Sequence, residues 1–484
     1  MKFVRKISVV LMIIAVAALR LHADTASLLI LHTNDMHDYI KPGPNNCGGV
    51  PYLAGYIASM RAQRNDIVLL DGGDVMEKGD MVAFVTESRV MYEAMKKMGY
   101  TAGAIGNHDL DHGVPYMKEC SALAGYPLLC LNHFDADGSL SFPASTVVEV
   151  NGIKVGILGM TNIRGAIKKD GAHLAAEAKR LDEEADLLVV VAHIGSKECA
   201  LLSAMAPEID LFVSAHTHEV IKTPVVVPDT QALIVQAGQY AQYIGKLEVT
   251  VDLDSNKIVN YDGTLIPMSH DAITPDAAML EWIAKMEKEH CPEAAETVGQ
   301  ASRFINVEET AALAAAALKE YGHVDVAFCH SSQVMRSGVY AGDVDANALF
   351  RTGGQRGADL VAFNLTGAQI EAYLTGLVQE KRGKTEWAGF KATMTFDGGT
   401  RLWSIASSLD KEKVYTAIMT EREWTQRFLR IAKESDAFKD FNPSEMKPAE
   451  FTFTPALTAY AKSITAGGET LDNHAETLIS NRKM

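Results

Sequence analysis

Five short stretches in the first half of the chain set Asp, Asn and His beside small residues. They are His32-Thr33-Asn34-Asp35-Met36-His37, Asp71-Gly72-Gly73-Asp74, Gly106-Asn107-His108-Asp109-Leu110-Asp111, Ala192-His193 and Ser214-Ala215-His216-Thr217-His218. These residue types suit divalent cations. Carboxylates supply the charge that holds two cations close together, while imidazole nitrogens and a carboxamide oxygen complete the coordination without overcharging the site. In a centre with two ions about 3.5–4 Å apart, a carboxylate and a water fit between them. The water loses a proton readily and attacks phosphorus in line, while the cations neutralise developing charge. Taken singly, each stretch has a plainer reading: Asp-x-His as loop chemistry, His-x-His as a surface pair, Asn-His-Asp as a turn. Their joint occurrence, in order and after apolar runs, points to one metal-dependent hydrolytic site.

The elements that must position them are legible in the same region. Apolar runs at 28–31, 67–70, 155–158, 187–191, 211–213 and 233–235 are apolar on consecutive residues, as in strands buried on both faces. Helical patterns at 50–64, 85–98 and 171–184 lie between them. Such alternation predicts a layered α/β domain, with ligand-bearing loops beyond the carboxyl ends of the strands. Near Asp271 the character changes. Thr274-Pro275-Asp276 opens a helix over 276–289, which ends before Cys291-Pro292 because proline disfavours helix at the preceding residue. A second α/β region starts near Val298, with an alanine-rich helix at 308–321 and a strand at 324–329. The expected organisation is a signal peptide over 1–23, the α/β domain over 24–268, a linker helix over 269–297 and a second domain over 298–484.

Composition bounds the partners. The chain has 484 residues, enough for two or three domains, and its 48% apolar and 22% charged content is that of ordinary globular protein. Lys2, Arg5 and Lys6 precede an apolar run at 7–19 and then Leu21-His22-Ala23. That is the pattern of a secretory signal peptide, too short to remain as a spanning helix, although Arg20 leaves an uncleaved anchor as the alternative. The expected location is therefore periplasmic or secreted, with no stable membrane insertion after cleavage. A formal charge of −16 argues against nucleic acid as a partner, because such binding needs basic patches. Six cysteines, Cys47, Cys120, Cys130, Cys199, Cys291 and Cys329, are scattered and form no CxxC pair. An oxidising compartment permits disulfides without fixing their pairing, and a thiolate zinc site is not expected.

Over residues 28–268 the chain resembles the secreted 5′-nucleotidase family, a branch of the calcineurin-like metallophosphoesterases. The resemblance is carried by Leu31-His32-Thr33-Asn34-Asp35-Met36-His37, Gly48-Gly49-Val50, Asp71-Gly72-Gly73-Asp74, Gly99-Tyr100, Gly106-Asn107-His108-Asp109-Leu110-Asp111-His112-Gly113 and Ala215-His216-Thr217-His218. It implies an α/β fold: a layered α/β/β/α metallophosphoesterase domain followed by a smaller α/β domain of the 5′-nucleotidase C-terminal type. It also implies two divalent ions (Zn, Mn, Co or Mg). Asp35, His37, Asp74 and His218 would hold one ion. Asp74 would bridge to a second, held by Asn107, His193 and His216. His108 would stabilise the phosphoryl group in the transition state, with Asp111 orienting its ring. An imidazole kept cationic by a carboxylate suits developing negative charge. Many relatives carry Gln or Asn where His218 stands; imidazole is also a competent ligand.

The second half follows the family less closely. There the family grips substrate through arginines and a pair of aromatics that sandwich the base. Residues 328–344 (FCHSSQVMRSGVYAGDV) resemble the family's Asn-x-Gly-Gly-Ile-Arg stretch, with Arg336 at the place of the arginine. Ser331, Gln333 and Val334 depart from it. Leu349-Phe350, with Leu360-Val361 further on, resembles a Phe-Gly-Asn-x-Leu-Val element with residues inserted, which makes Phe350 a candidate substrate contact. The glycine-rich loop of the second aromatic has no counterpart near residues 415–424. The plainer readings are surface roles for Arg336, Arg351 and Arg356, and core roles for Phe350, Trp387, Phe451 and Phe453. The expected activity is release of phosphate from a small phosphorylated substrate, 5′-nucleotides first. The alternatives are another small ester (cyclic nucleotide, nucleotide sugar, non-nucleotide phosphomonoester) and a metal-stabilised binding protein without catalysis.

Overall fold

The consecutive apolar runs do form strands buried on both faces: in Leu187–His193 all seven residues are buried. The computed structural model describes residues 25–43, 47–162, 167–332, 334–354, 358–378, 385–399 and 402–481. The segment read as a signal peptide, 1–23, lies outside them, as do Gln333 and Arg356. Twelve strands of the first half are β1 (Thr25–Thr33), β2 (Ile67–Asp71), β3 (Ala102–Ala104), β4 (Leu128–Leu129), β5 (Ser145–Val150), β6 (Ile153–Thr161), β7 (Leu187–His193), β8 (Leu211–Ser214), β9 (Val225–Val226), β10 (Leu233–Val235), β11 (Tyr243–Asp252) and β12 (Lys257–Pro267). They make two six-stranded sheets, ordered β12-β11-β1-β2-β3-β4 and β5-β6-β7-β8-β10-β9.

One hydrophobic cluster joins the two sheets: Leu28, Ile30, Val68 and Leu70 from the first share it with Ile157, Val189, Val191 and Val213 from the second. A separate cluster packs the outer face of the second sheet on helices, through Leu174, Leu181, Cys199 and Leu202. This is the expected α/β/β/α layering. β1, β2 and β3 run parallel, as do β6, β7 and β8. The carboxyl ends of each set therefore lie at one edge, which is where loops can converge.

One helix differs from its sequence reading. The span 85–98 is not continuous: Met81–Val85 and Arg89–Met98 are separate helices. Glu87 and Ser88 between them take φ of 51° and 64°, a left-handed step that no continuous helix contains. The two pieces belong to different compact units. Among the described residues, one unit comprises those up to Glu77 and Thr86–Ala284; the other comprises Lys78–Val85 and those from Lys285 onward. The division falls inside the helix Ala277–His290.

The second unit is built on a five-stranded sheet ordered Thr385–Ala388, Val326–His330, Val414–Thr420, Leu360–Thr366 and Lys447–Pro448. The alanine-rich helix Val307–Tyr321 packs beneath it, and Asn306 caps it in a reciprocal box with Glu309. The short piece Lys78–Val85 is tied in by a buried charge. Asp80 is fully buried, and its Oδ1 accepts from Arg351 Nε (2.7 Å), Arg351 Nη2 (2.6 Å) and Asn347 Nδ2 (2.6 Å). Asn347 Oδ1 in turn accepts from the Met81 backbone N–H at 2.8 Å. All six cysteines are free thiols, and only Cys47 is exposed. No described helix is long and apolar enough to cross a membrane.

Candidate metal centre

All the residues expected to hold metal lie at the carboxyl ends of parallel strands or in the loops that follow them. Asp35 and His37 follow β1, Asp74 follows β2, Asn107 follows β3, His193 ends β7, and His216 and His218 follow β8. Two ligand groups result. Asp35, His37 and His218 place ligand atoms within 4.8 Å of one another, and so do Asp74, His193 and His216. Asp74 Oδ2 stands 3.1 Å from His193 Nε2 and 3.7 Å from His37 Nε2, between the groups. His218 Nε2 is 3.2 Å from Asp35 Oδ1 and 3.3 Å from His37 Nε2.

The surrounding hydrogen bonds choose which imidazole nitrogen is offered. His37 Nδ1 donates to the Met76 carbonyl and His193 Nδ1 to the Gly72 carbonyl, both at 2.9 Å. In both rings this leaves Nε2 as the nitrogen facing the carboxylates, the one that would carry the lone pair when the ring is neutral, which is the usual arrangement behind a metal-ligating histidine. Asn34 Nδ2 donates to Asp35 Oδ2 at 2.7 Å and fixes that carboxylate.

The donor set fits cations. Asn107 Oδ1 is buried without a hydrogen-bond donor, a cost that coordination would remove. Burial would by itself raise the Asp35 and Asp74 carboxyls, yet the neighbouring imidazoles hold both below the usual carboxylate range. Burial would likewise lower His193, but Asp74 and Asp35 drive its basicity well upward. The pocket thus has a field that retains positive charge.

That convergence strains the backbone. Asp35, His37, Asp74, His216 and His218 all have positive φ, from 47° to 72°, although none is glycine. Left-handed non-glycine residues persist where the surroundings over-determine them, and they cluster at functional sites. Gly106 permits the closest approach, since a Cβ there would lie 2.1 Å from Asp74 Oδ1.

His108 and Asp111 stand beside this pair of groups. The His108 ring is 5.3 Å from that of His37, and its backbone N–H donates to Asp74 Oδ1 at 2.8 Å. Asp111 Oδ2 is 3.6 Å from His108 Nδ1. Two further residues were not assigned a role from sequence. Glu77 contacts His108 Nδ1 directly. Asp109 is buried and accepts four backbone N–H groups: Asp74 at 2.9 Å, Val75 at 2.9 Å, Met76 at 3.2 Å and Gly106 at 2.8 Å. The Asn-His-Asp spacing was the one available signal for Asp109; nothing in the sequence marked Glu77. A cavity of about 380 Å³ opens beside His216, lined by Asn162, Asp170, Glu198 and Thr217.

The two substrate candidates lie in the second unit. Phe350 sits in the helix Ala346–Gly353, is 4% exposed and packs on Phe84 with ring centroids 5.3 Å apart. Arg336 is half-buried, and its backbone N–H donates to the Thr352 carbonyl at 2.6 Å. Where the family's aromatic loop would stand, Val414–Thr420 runs straight into a helical segment from Glu421.

Comparison with known proteins agrees with this geometry. Residues 28–220 match the family model for calcineurin-like phosphoesterases. A 5′-nucleotidase of Vibrio vulnificus is 26% identical over 78% of this chain and 83% of its own length. An endonuclease of Bacillus subtilis, YhcR, is 24% identical over 57% of this chain, which spans only 26% of that longer protein. In fold, the chain resembles a 5′-nucleotidase precursor from Thermus thermophilus at a TM-score of 0.68 and 19% identity, covering 91% of this chain and 97% of that one. Residues 28–220 thus form a calcineurin-like phosphoesterase domain, similar to that of 5′-nucleotidases, and the chain that carries it is a metal-dependent phosphoester hydrolase.

Proposed function

We propose that this protein is an extracytoplasmic phosphohydrolase that works with two divalent cations and releases phosphate from 5′-nucleotides. The observation that carries the two-cation reading is Asp74 Oδ2, placed between His37 Nε2 and His193 Nε2. Asp35, His37 and His218 would hold one cation with Asp74. Asn107, His193 and His216 would hold the other with the same carboxylate. When bound, such cations supply a nucleophilic water and neutralise charge on phosphorus. His108, beside this centre, would donate a hydrogen bond to a phosphoryl oxygen as charge grows there. Asp109 holds the Asp74 and Gly106 backbones in one arrangement throughout. The N-terminal charge-then-apolar pattern supports an extracytoplasmic location.

The nucleotide preference is supported by the named 5′-nucleotidase relative. A second reading, hydrolysis of another small phosphoester, is favoured by one observation: Phe350 is occupied against Phe84 instead of offering a face for a base. The test is metal-supplemented protein, with a chelator control, on an aryl phosphate and then on AMP, cyclic AMP, UDP-glucose and sugar phosphates. The proposal expects metal-dependent release, fastest from AMP. No metal-dependent release from any of them overturns it, and a sugar phosphate or diester as best substrate selects the second reading.

A further inference from the structure

Building on the reading of His216 and His218 as cation ligands, we propose that Gln236, not itself an expected ligand, is the positioning residue for the loop that carries them. β10 pairs in parallel with β8, Val235 beside Val213, so the residue after β10 arrives next to Ser214, where the ligand loop begins. Gln236 is fully buried there. A buried carboxamide must satisfy an acceptor oxygen and two N–H donors. One orientation does so for every neighbour. Oε1 accepts from the His218 and Glu219 backbone N–H groups, both at 3.0 Å, while Nε2 donates to Ser214 Oγ at 3.0 Å and Thr217 Oγ1 at 3.2 Å. Ser214 Oγ donates its own proton to the Ile194 carbonyl, which leaves a lone pair for Nε2–H. The reverse orientation would set the amide NH₂ against two backbone donors. Among the described residues no backbone carbonyl takes either N–H, so Gln236 is the group that satisfies them.

The loop needs such a partner. His216 and His218 have φ of 72° and 58°, and non-glycine residues stay in that region only where their surroundings over-determine them. Each is fixed at its amide: the His216 N–H donates to Asp35 Oδ2 at 3.1 Å, and the His218 N–H to Gln236. The residues that follow Gln236 hold the loop after β1 in the same way. The Ala237 N–H donates to Asn34 Oδ1 and Asn34 Nδ2 to the Gly238 carbonyl, both at 2.7 Å. The Tyr240 N–H donates to the Asp35 carbonyl at 2.8 Å. The exit of β10 therefore supplies no expected ligand, yet it ties together the loops that carry Asp35, His37, His216 and His218.

The first test needs neither cation nor turnover. The full chain, stripped of metal, is compared by hydrogen-exchange mass spectrometry as wild type, Gln236→Met, Gln236→Glu and Gln236→Asn. Methionine keeps the length and removes every hydrogen bond. Glutamate, in either protonation state, keeps an oxygen for the two N–H groups, and asparagine withdraws the amide by one methylene. In Gln236→Met the peptide containing His218 and Glu219 should exchange about tenfold faster, with peptides from β1 and β7 unchanged. Gln236→Glu should restore most of the protection. Gln236→Asn should show a smaller loss of the same kind, and it carries the test if the methionine protein does not fold. Unchanged exchange of the loop, equal acceleration throughout the first unit, or Gln236→Glu as fast as Gln236→Met overturns the proposal. The second test titrates Co²⁺ and follows its visible absorption. Gln236→Met should bind at least about tenfold more weakly than wild type, the size of effect seen for groups that orient ligands, and Gln236→Glu should recover most of that loss. Wild-type affinity in a Gln236→Met protein whose loop exchanges fast overturns the proposal, because the ligands would then not need the loop held. A wild type that binds no Co²⁺ refutes the two-cation reading instead, and the exchange result still decides whether Gln236 holds the loop.

Discussion

Replacing Asp109 by asparagine should remove the metals although Asp109 is not among the expected ligands. Each carboxylate oxygen accepts two backbone N–H groups: Oδ2 those of Asp74 and Gly106, Oδ1 those of Val75 and Met76. In the Asp109→Asn protein one of these oxygens becomes an amide NH₂, which confronts two donors with a third. A buried donor left unsatisfied costs about 1–3 kcal/mol, so two cost about 2–6 kcal/mol before the lost charge on the other pair is counted. Against a whole-domain stability of about 5–15 kcal/mol this is large. The backbone can escape it by moving the Asp74–Met76 loop, and that loop carries Asp74 and the carbonyl holding His37. The assay pairs elemental analysis of metal content after dialysis with urea unfolding. Metal affinity should fall at least tenfold, with turnover falling in step, because outer groups that fix ligands carry effects of that size. Wild-type metal content together with a stability change below about 0.5 kcal/mol would refute the reasoning.

Three further outcomes are expected. Asp74→Ala should abolish turnover, since it removes the carboxylate between the two ligand groups; near-wild-type rates with full metal content would show that another group bridges. Asp80→Ala removes a fully buried carboxylate from the buried Arg351 guanidinium and should cost the second unit about 3–5 kcal/mol. Tryptophan fluorescence can follow it, because Trp387, Trp403 and Trp424 all lie in that unit, and a change under about 1 kcal/mol would mean that the pair is hydrated. Glu423 gives a pH signature: burial pushes its carboxyl up to about 7, against hydrogen bonds from Tyr373, Thr385 and the His330 backbone. Its folded pKa lies above the unfolded value near 4.5, so its stabilising contribution is complete below that value and is lost as pH rises through about 7. The total is about 3 kcal/mol. Glu423→Gln should flatten the slope of unfolding free energy between pH 4.5 and 7; parallel slopes for the two proteins would sink the assignment.

The residues expected to hold metal stand out in the sequence because each sits two to four residues beyond a short apolar strand, or on its last residue. The pattern that marks the strand thereby also marks the loop. The layering followed from the same runs, since strands apolar at every residue require cover on both faces. What escaped depends on backbone conformation and on partners distant in the chain. Glu77 reaches His108 only because the loop after Asp74 is left-handed, and glutamate gives no sign of that. The break at Glu87-Ser88 lies in a stretch of good helical residues, and it separates a piece that packs with residues from a later part of the chain. Phe350 illustrates the limit most sharply. Its type suits stacking on a base or filling a core, and only the presence of Phe84 decides for packing.

The run Lys78–Val85 also bears on how this protein can be cut, expressed and made. The backbone passes between the two compact units after Glu77, after Val85 and after Ala284. A fragment starting at Lys285 would fold, if at all, around a buried Arg351 whose carboxylate was left behind on another piece of chain. Limited proteolysis near Ala284 would sever the covalent path to the residues from Lys285 onward and leave Lys78–Val85, a part of their unit, on the N-terminal fragment. During synthesis, Asp80 leaves the ribosome 271 residues before Arg351. The segment Lys78–Val85 must therefore await partners made much later, a closure whose cost grows slowly with loop length but delays folding.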